Sequence, residues 1–106
     1  MSVEELNSSN FDEKIANAGK IMLVDFSATW CGPCKMYGPI FHRFADKNAG
    51  RAAFGSIDID ESSDIAARYG ITAVPTTIVF KDGQPIDSFM GAADEKRLED
   101  VLARNI

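Results

Sequence analysis

The sequence predicts an α/β protein: a three-layer α/β/α sandwich with helices on both faces of a mixed sheet. Three observations carry that class. Segments of helical and strand period follow in the order helix, strand, helix, strand, helix, strand, strand, helix. The run Lys20 to Phe26 is apolar apart from its first residue and Asp25, the pattern of a strand covered on both faces. The last two strands are joined by Lys81-Asp82-Gly83-Gln84, whose Asp-Gly pair signals a tight hairpin.

Each element has a local reason. Ser8-Ser9-Asn10 precedes Phe11-Asp12-Glu13, a helix start with acidic residues in its first turn. Phe11, Ile15 and Ala18 recur at helical spacing, and Gly19 ends the run. Pro33 suits the first turn of a second helix, with Tyr37, Ile40, Phe41 and Phe44 on one face. Pro39 lies inside that stretch and is expected to kink it. Ala52 to Asp58 reads as the next strand, followed by a short helix capped by Ser62 or Ser63 and ending at Gly70. Thr76 to Phe80 and Ile86 to Phe89 form the hairpin strands. Asp94 caps a last helix with a narrow stripe of Leu98, Val101 and Leu102.

Length and charge bound the function. The 106 residues suffice for one domain spanning 1–106, and no linker, repeat or low-complexity tract divides them. Size scaling gives ~5,800 Å² of folded surface, so about two-thirds of the unfolded surface is buried without a structural staple. Eleven Lys+Arg against sixteen Asp+Glu leave a net charge of −5, which argues against a phosphate-backbone binder and hence against a nucleic-acid partner. The longest wholly apolar run near the start, Ile21 to Val24, is far short of a bilayer span or a signal-peptide core. The expectation is a soluble cytoplasmic monomer with no membrane association, in a compartment where disulfides are transient and catalytic.

The chemistry is concentrated in Cys31-Gly32-Pro33-Cys34, the only two cysteines of the chain. A loop so short removes little unfolded-state entropy when crosslinked, so a stabilising staple is a poor explanation. The motif follows a buried strand and opens a helix, where free N–H groups and the helix dipole favour an anion. Cys31 is therefore expected to be the exposed nucleophile, because the thiolate is the attacking species. Cys34, one turn on, points back at it from deeper in the fold and is expected to be the buried resolving thiol. Gly32 leaves room for a docking partner, and Pro33 sets the turn without an N–H. A buried thiol needs a base, and Asp25, the lone carboxylate of the apolar strand, is the candidate proton acceptor and donor. Its competing reading is a backbone hydrogen bond at the strand end.

Val24-Asp25-Phe26, Trp30-Cys31-Gly32-Pro33-Cys34-Lys35 and Val74-Pro75-Thr76 together closely resemble the thioredoxin family. The likeness runs from about Phe11 to the C-terminus and includes Pro39, Asp58-Ile59-Asp60, Tyr69-Gly70-Ile71, Phe80-Lys81-Asp82-Gly83 and Gly91. The resemblance implies the thioredoxin fold, with a central five-stranded sheet and four helices, the first strand being the weak segment Val3 to Leu6. It implies a cis Val74-Pro75 peptide facing the cysteines. It also implies a flat apolar substrate-binding surface of Trp30, Gly32, Pro33, Val74, Pro75, Gly91 and Ala92, which pairs by its main chain with extended substrates. The implied activity is reduction of protein disulfides through a mixed disulfide. No cofactor would be bound. Electrons would come from a partner thioredoxin reductase-like protein, an NADPH-dependent flavoprotein, since this chain has no dinucleotide fingerprint.

The chain departs from the family pattern in places. Ser27 stands where well-known members carry a second tryptophan, and Ser56 where many place a lysine near the buried carboxylate. Loss of that ammonium should push the pKa of Asp25 further up. Thr72 and Ala73 replace a basic residue and glycine, and Met36-Tyr37-Gly38 is an unusual turn after the motif. Other readings fit these residues less well. A zinc site needs four ligands, and the cysteine pair supplies two, with the sole histidine, His42, about two turns away. No metal site is expected. A binding subunit without turnover would need neither thiol, and oxidases and isomerases carry other dipeptides between the cysteines. Asp58 and Asp60 read as turn or cap residues, and Phe26, Phe41, Phe44, Phe54, Phe80 and Phe89 as core.

Overall fold

The computed structural model describes residues 2–106. Its elements are β1 (Val3–Leu6), α1 (Phe11–Ala16), β2 (Met22–Ser27), α2 (Gly32–Lys47), β3 (Ala53–Asp58), α3 (Ser63–Arg68), β4 (Thr76–Lys81), β5 (Gln84–Met90) and α4 (Glu95–Asn105). The strands form one sheet in the order β1-β3-β2-β4-β5. The first three are mutually parallel, and β4 and β5 run antiparallel to their neighbours. The accessible surface, 5558 Å², is close to what size alone requires.

Strand alternation sorts the core into two layers. Leu23 of β2, Phe54 of β3 and Val79 of β4 face α2 and α4, meeting Tyr37, Phe41, Phe44, Leu98 and Leu102. Met22, Val24 and Phe26 point the other way, toward Phe11 and Ile15 of α1 and Ile65 of α3. Both layers are sealed by aromatic rings in edge contact, Phe11 on Phe80 in one and Phe41 on Phe54 in the other. All six phenylalanines assigned to the core are buried.

The hairpin turn has Asp82 at φ 52° and Gly83 at φ 80°. Both central residues are left-handed, as the twist of a two-residue hairpin demands. Asp94 caps α4 as expected, its carboxylate accepting the Arg97 N–H at 2.9 Å. Elsewhere the boundaries differ from the sequence reading. α1 stops at Ala16, and its cap Asn10 makes no side-chain bond into the helix. The Asn10 Oδ1 instead accepts the Asn7 N–H, holding the preceding turn. Ser62 precedes α3 but does not cap it with its hydroxyl. α2 continues through Pro39 as one helix, because buried Tyr37, Phe41 and Phe44 hold its face against the sheet on both sides of the proline.

The Asp94 cap gives a simple check of how much α4 depends on its first turn. Asp94→Ala is expected to lower unfolding stability by about 1 kcal/mol, read as a lower urea midpoint at unchanged slope. An unchanged midpoint would show that the cap contributes nothing.

Candidate active site

β2 ends at Ser27, and four residues later the chain enters α2 with Cys31 as the N-cap. Cys31 keeps an extended backbone at φ −91° and ψ 117°, while its carbonyl already accepts the Lys35 N–H at 3.3 Å. Its Sγ accepts the N–H of Cys34 at 3.2 Å. The sulfur therefore does what a serine or aspartate oxygen does at an ordinary N-cap. Pro33 lies within the first turn, where a missing N–H removes nothing. A Cβ on Gly32 would meet nothing within 4 Å, so internal packing does not require glycine there.

Cys31 and Cys34 are joined as a disulfide, with Cα atoms 5.3 Å apart. One expectation is corrected: Cys31 is not the exposed member of the pair. The two residues are 4% and 6% exposed, packed with Ala28 and against Val74 and Ile59. What distinguishes them is position on the helix, since the Cys31 sulfur holds the N-cap.

The segment before β4 faces the pair. The Val74-Pro75 peptide is cis, and the Cys31 Sγ lies 3.6 Å from the Val74 carbonyl oxygen. The Thr76 hydroxyl donates to the Ala73 carbonyl at 2.7 Å, and the Gly91 N–H donates to the Pro75 carbonyl at 2.7 Å. Gly91 has φ 91°, a conformation that side chains resist, so this tie to the loop requires glycine. Of the expected docking residues, Trp30, Gly32, Pro33 and Ala92 are exposed, and Val74 and Gly91 are half-buried. Pro75 is buried, so it supports the surface from below.

The Trp30 ring is exposed but fixed, its Nε1 donating to Asp60 Oδ2 at 2.8 Å. The turn reading of the two aspartates thus holds only for Asp58, which accepts the N–H groups of Asp60 and Glu61. Asp60 orients Trp30, a contact across thirty residues that no local pattern encodes.

Asp25 shares the face of Leu23 and so points toward α2. It is 4% exposed, and its Oδ1 has no hydrogen-bond partner among the described residues. Its flanking neighbours in the sheet are Ser56 on β3 and Thr77 on β4. Burial penalises the charged form and raises the carboxyl from 3.8 to about 7. The backbone-bond reading of Asp25 does not describe that Oδ1.

The raised value has a fixed sign for stability. Below about pH 4 folded and unfolded chains both hold the proton, and nothing is lost. Between about pH 4 and pH 7 only the folded chain keeps it, so stability falls as pH rises; above pH 7 the loss is complete. Asp25→Asn, which cannot ionise, is expected to gain on the parent across that window by up to about 4 kcal/mol. Urea midpoints measured from pH 4 to 9 check this, and a pH-independent difference would contradict it.

Comparisons with known proteins agree with this geometry. The thioredoxin family profile matches residues 2–104. A thioredoxin of Staphylococcus haemolyticus is 42% identical over 106 residues, the whole of both chains. One of Staphylococcus aureus (strain Mu50) is 40% identical, again over the full length of both. The crystal structure of Malassezia sympodialis thioredoxin superposes with a TM-score of 0.86 at 40% identity, covering 98% of this chain and 90% of that one. Thioredoxins are protein-disulfide reductases that bind no cofactor and work with a reductase and disulfide-containing targets. This chain belongs to the thioredoxin family, and Cys31 and Cys34 make it a thiol–disulfide oxidoreductase.

Proposed function

We propose the following division of labour among the residues of the site. The observation that carries it is the Cys31 sulfur at the N-cap of α2, accepting the Cys34 N–H. In the reduced protein that N–H and the helix dipole stabilise a Cys31 thiolate. The thiolate attacks one sulfur of a substrate disulfide. The substrate S–S bond breaks, a mixed disulfide forms, and the other substrate sulfur leaves as a thiolate that takes a proton from solvent.

Cys34 then gives its proton to Asp25 and attacks the Cys31 sulfur. The mixed disulfide breaks, the second substrate sulfur leaves as a thiolate that takes a proton from solvent, and Cys31–Cys34 closes. Two electrons have passed from the dithiol to the substrate. A carboxyl with a pKa of about 7 is half ionised near neutrality, so Asp25 can accept that proton and return it in the reverse reaction.

Substrate binding falls to Trp30, Val74, Gly91 and Ala92 beside the cysteines, with Gly32 and Pro33 at the rim and Pro75 beneath. An extended substrate segment pairs with the main chain at Val74, which accounts for broad tolerance of sequence. An NADPH-dependent flavoprotein of the thioredoxin reductase type restores the dithiol. The reaction is placed in the cytoplasm, where dithiols are kept reduced. Among the described residues no helix is long and apolar enough to cross a membrane.

Trapping the intermediate tests the assignment. Cys34→Ser, mixed with a disulfide-bonded peptide, is expected to accumulate an adduct on Cys31 detectable by mass. Cys31→Ser is expected to form no productive adduct, and Asp25→Asn to slow release from the mixed disulfide. An adduct on Cys34 in the parent protein would reverse the roles. Equilibration with thiols tests direction: the Cys31–Cys34 disulfide is expected to resist glutathione and to yield to dithiothreitol. Ready reduction by glutathione would make this an oxidant rather than a reductant.

A further inference from the structure

On its α1 and α3 side the sheet is covered at the centre and bare along β5. Ile78 of β4 belongs to the buried layer on that side. Its cross-strand neighbour on β5 is Ser88, and Thr76 is paired with Met90 in the same way. Thr77, between them, faces the other layer, where its Oγ1 bonds the Tyr37 hydroxyl at 2.8 Å. Ile86, Ser88 and Met90, alternate residues of β5, are all exposed, Ile86 at 45% and Met90 at 64%. The exit of α3, from Tyr69 to Thr72, forms a wall opposite them. Between wall and strand lie two hollows, of about 350 Å³ beside Ile86 and about 210 Å³ beside Met90. Tyr69, Ile78 and Ser88 line both, so the two form one groove along β5.

The groove opens beside the cysteines. Met90 precedes Gly91, whose N–H holds the Pro75 carbonyl, and Thr76 follows Pro75. Main-chain pairing cannot continue inward from there, because β4 is already paired on both sides, with β2 and β5. A segment leaving Val74 by this path can offer only its side chains. What meets them is uncharged. Asp87, the one acidic or basic residue of the lining, gives its carboxylate to Arg104 and Asn105 of α4, at 2.8 Å each. The Thr76 hydroxyl is spent on the Ala73 carbonyl, while Ile71, Ile78, Ile86 and Met90 supply apolar surface. Thr72, at the mouth, replaces a basic residue of the family pattern, so no cation there calls for an acidic segment.

We propose that this groove takes the apolar flank of a disulfide-bearing substrate segment, and so favours targets with alternate apolar side chains beside the reacting cysteine. The proposal rests on the reading above, with Val74 as the pairing edge and Cys31 as the nucleophile. From Met90 to Ile86 the groove runs ~13 Å at the rise of a strand, the length of a flank of about five residues. Methionine suits the mouth, since its unbranched thioether adapts to apolar side chains of different shape. Pairing at Val74 admits many sequences, and the groove ranks them.

The test compares two symmetrical peptide disulfides, each peptide carrying a central cysteine and flanks of about five residues. One has leucine at alternate flank positions, and in the other serine replaces every leucine. Single-turnover reduction by the dithiol form of the full chain, read as release of peptide thiol, is expected to be about tenfold faster with the leucine peptide. Ser88→Trp, which fills the groove, and Met90→Lys, which charges its mouth, are each expected to bring the ratio of the two rates close to one. Both positions are exposed, so neither change burdens the core. In the adduct of Cys34→Ser, the amide NMR signals of Ile86 and Ser88 are expected to shift with the leucine peptide and to stay in place with the serine peptide.

Equal rates in the parent, a preference that survives Ser88→Trp, or unmoved Ile86 and Ser88 signals would overturn the proposal. So would a dimer in sedimentation that Met90→Lys dissociates, which would give the groove to a second copy of the chain. Failure of the underlying reading looks different: Cys34→Ser would then form no adduct on Cys31 with either peptide, and the proposal would fall with it.

Discussion

The first turn of α2 presents backbone N–H groups that no earlier carbonyl can reach, and one of them, at Cys34, is met by the sulfur of Cys31. A sulfur at that place is in a field that favours negative charge, and much of the molecule serves to keep it there. β2 sits at the centre of the sheet and delivers the chain to the helix start. Tyr37, Phe41 and Phe44 pin α2 against the sheet, so the cap cannot drift along the helix axis. Lys47 and Arg43 pair with Glu95, and Arg51 with Glu99, which ties the far end of α2 and its exit to α4. These pairs are largely exposed and contribute orientation more than stability.

Against this rigidity stands a deliberate weakness. Placing Asp25 in the middle of the sheet without a partner for Oδ1 costs stability at neutral pH; on the proposed reading it provides in return a proton carrier of neutral affinity. The aromatic layers on either side are what let the fold bear that cost. Because the disulfide closes so short a loop, its opening removes little from that reserve.

Much of this was legible in the order of residues. The helix and strand periods placed eight of the nine elements, and a lone acid in an apolar run marked Asp25 as unusual. β1 was not readable from its own residues, since Val3-Glu4-Glu5-Leu6 is short and half exposed; only resemblance supplied it. The Asp60–Trp30 bond and the Tyr37–Thr77 bond were invisible for another reason. Each joins residues thirty or forty positions apart, and depends on strand register or loop path. Exposure of Cys31 was misjudged because its burial depends on Ile59 and Val74, which reach it from segments remote in the sequence.

The rims of the sheet carry a consequence of their own. β1 is only four residues long, and its two central residues are glutamates. β5, at the other rim, carries Pro85 opposite the register break at Val79 and Phe80, and Asp87 beyond it. Short length, charge, a missing N–H and an irregular ladder are the means by which open edges avoid recruiting other chains. A protein that docks extended segments, as proposed above for this one, is at particular risk of being extended by them into aggregates. Here both borders are blunted, so that on the proposed reading a visiting strand finds its welcome only at Val74, beside the sulfurs that will let it go.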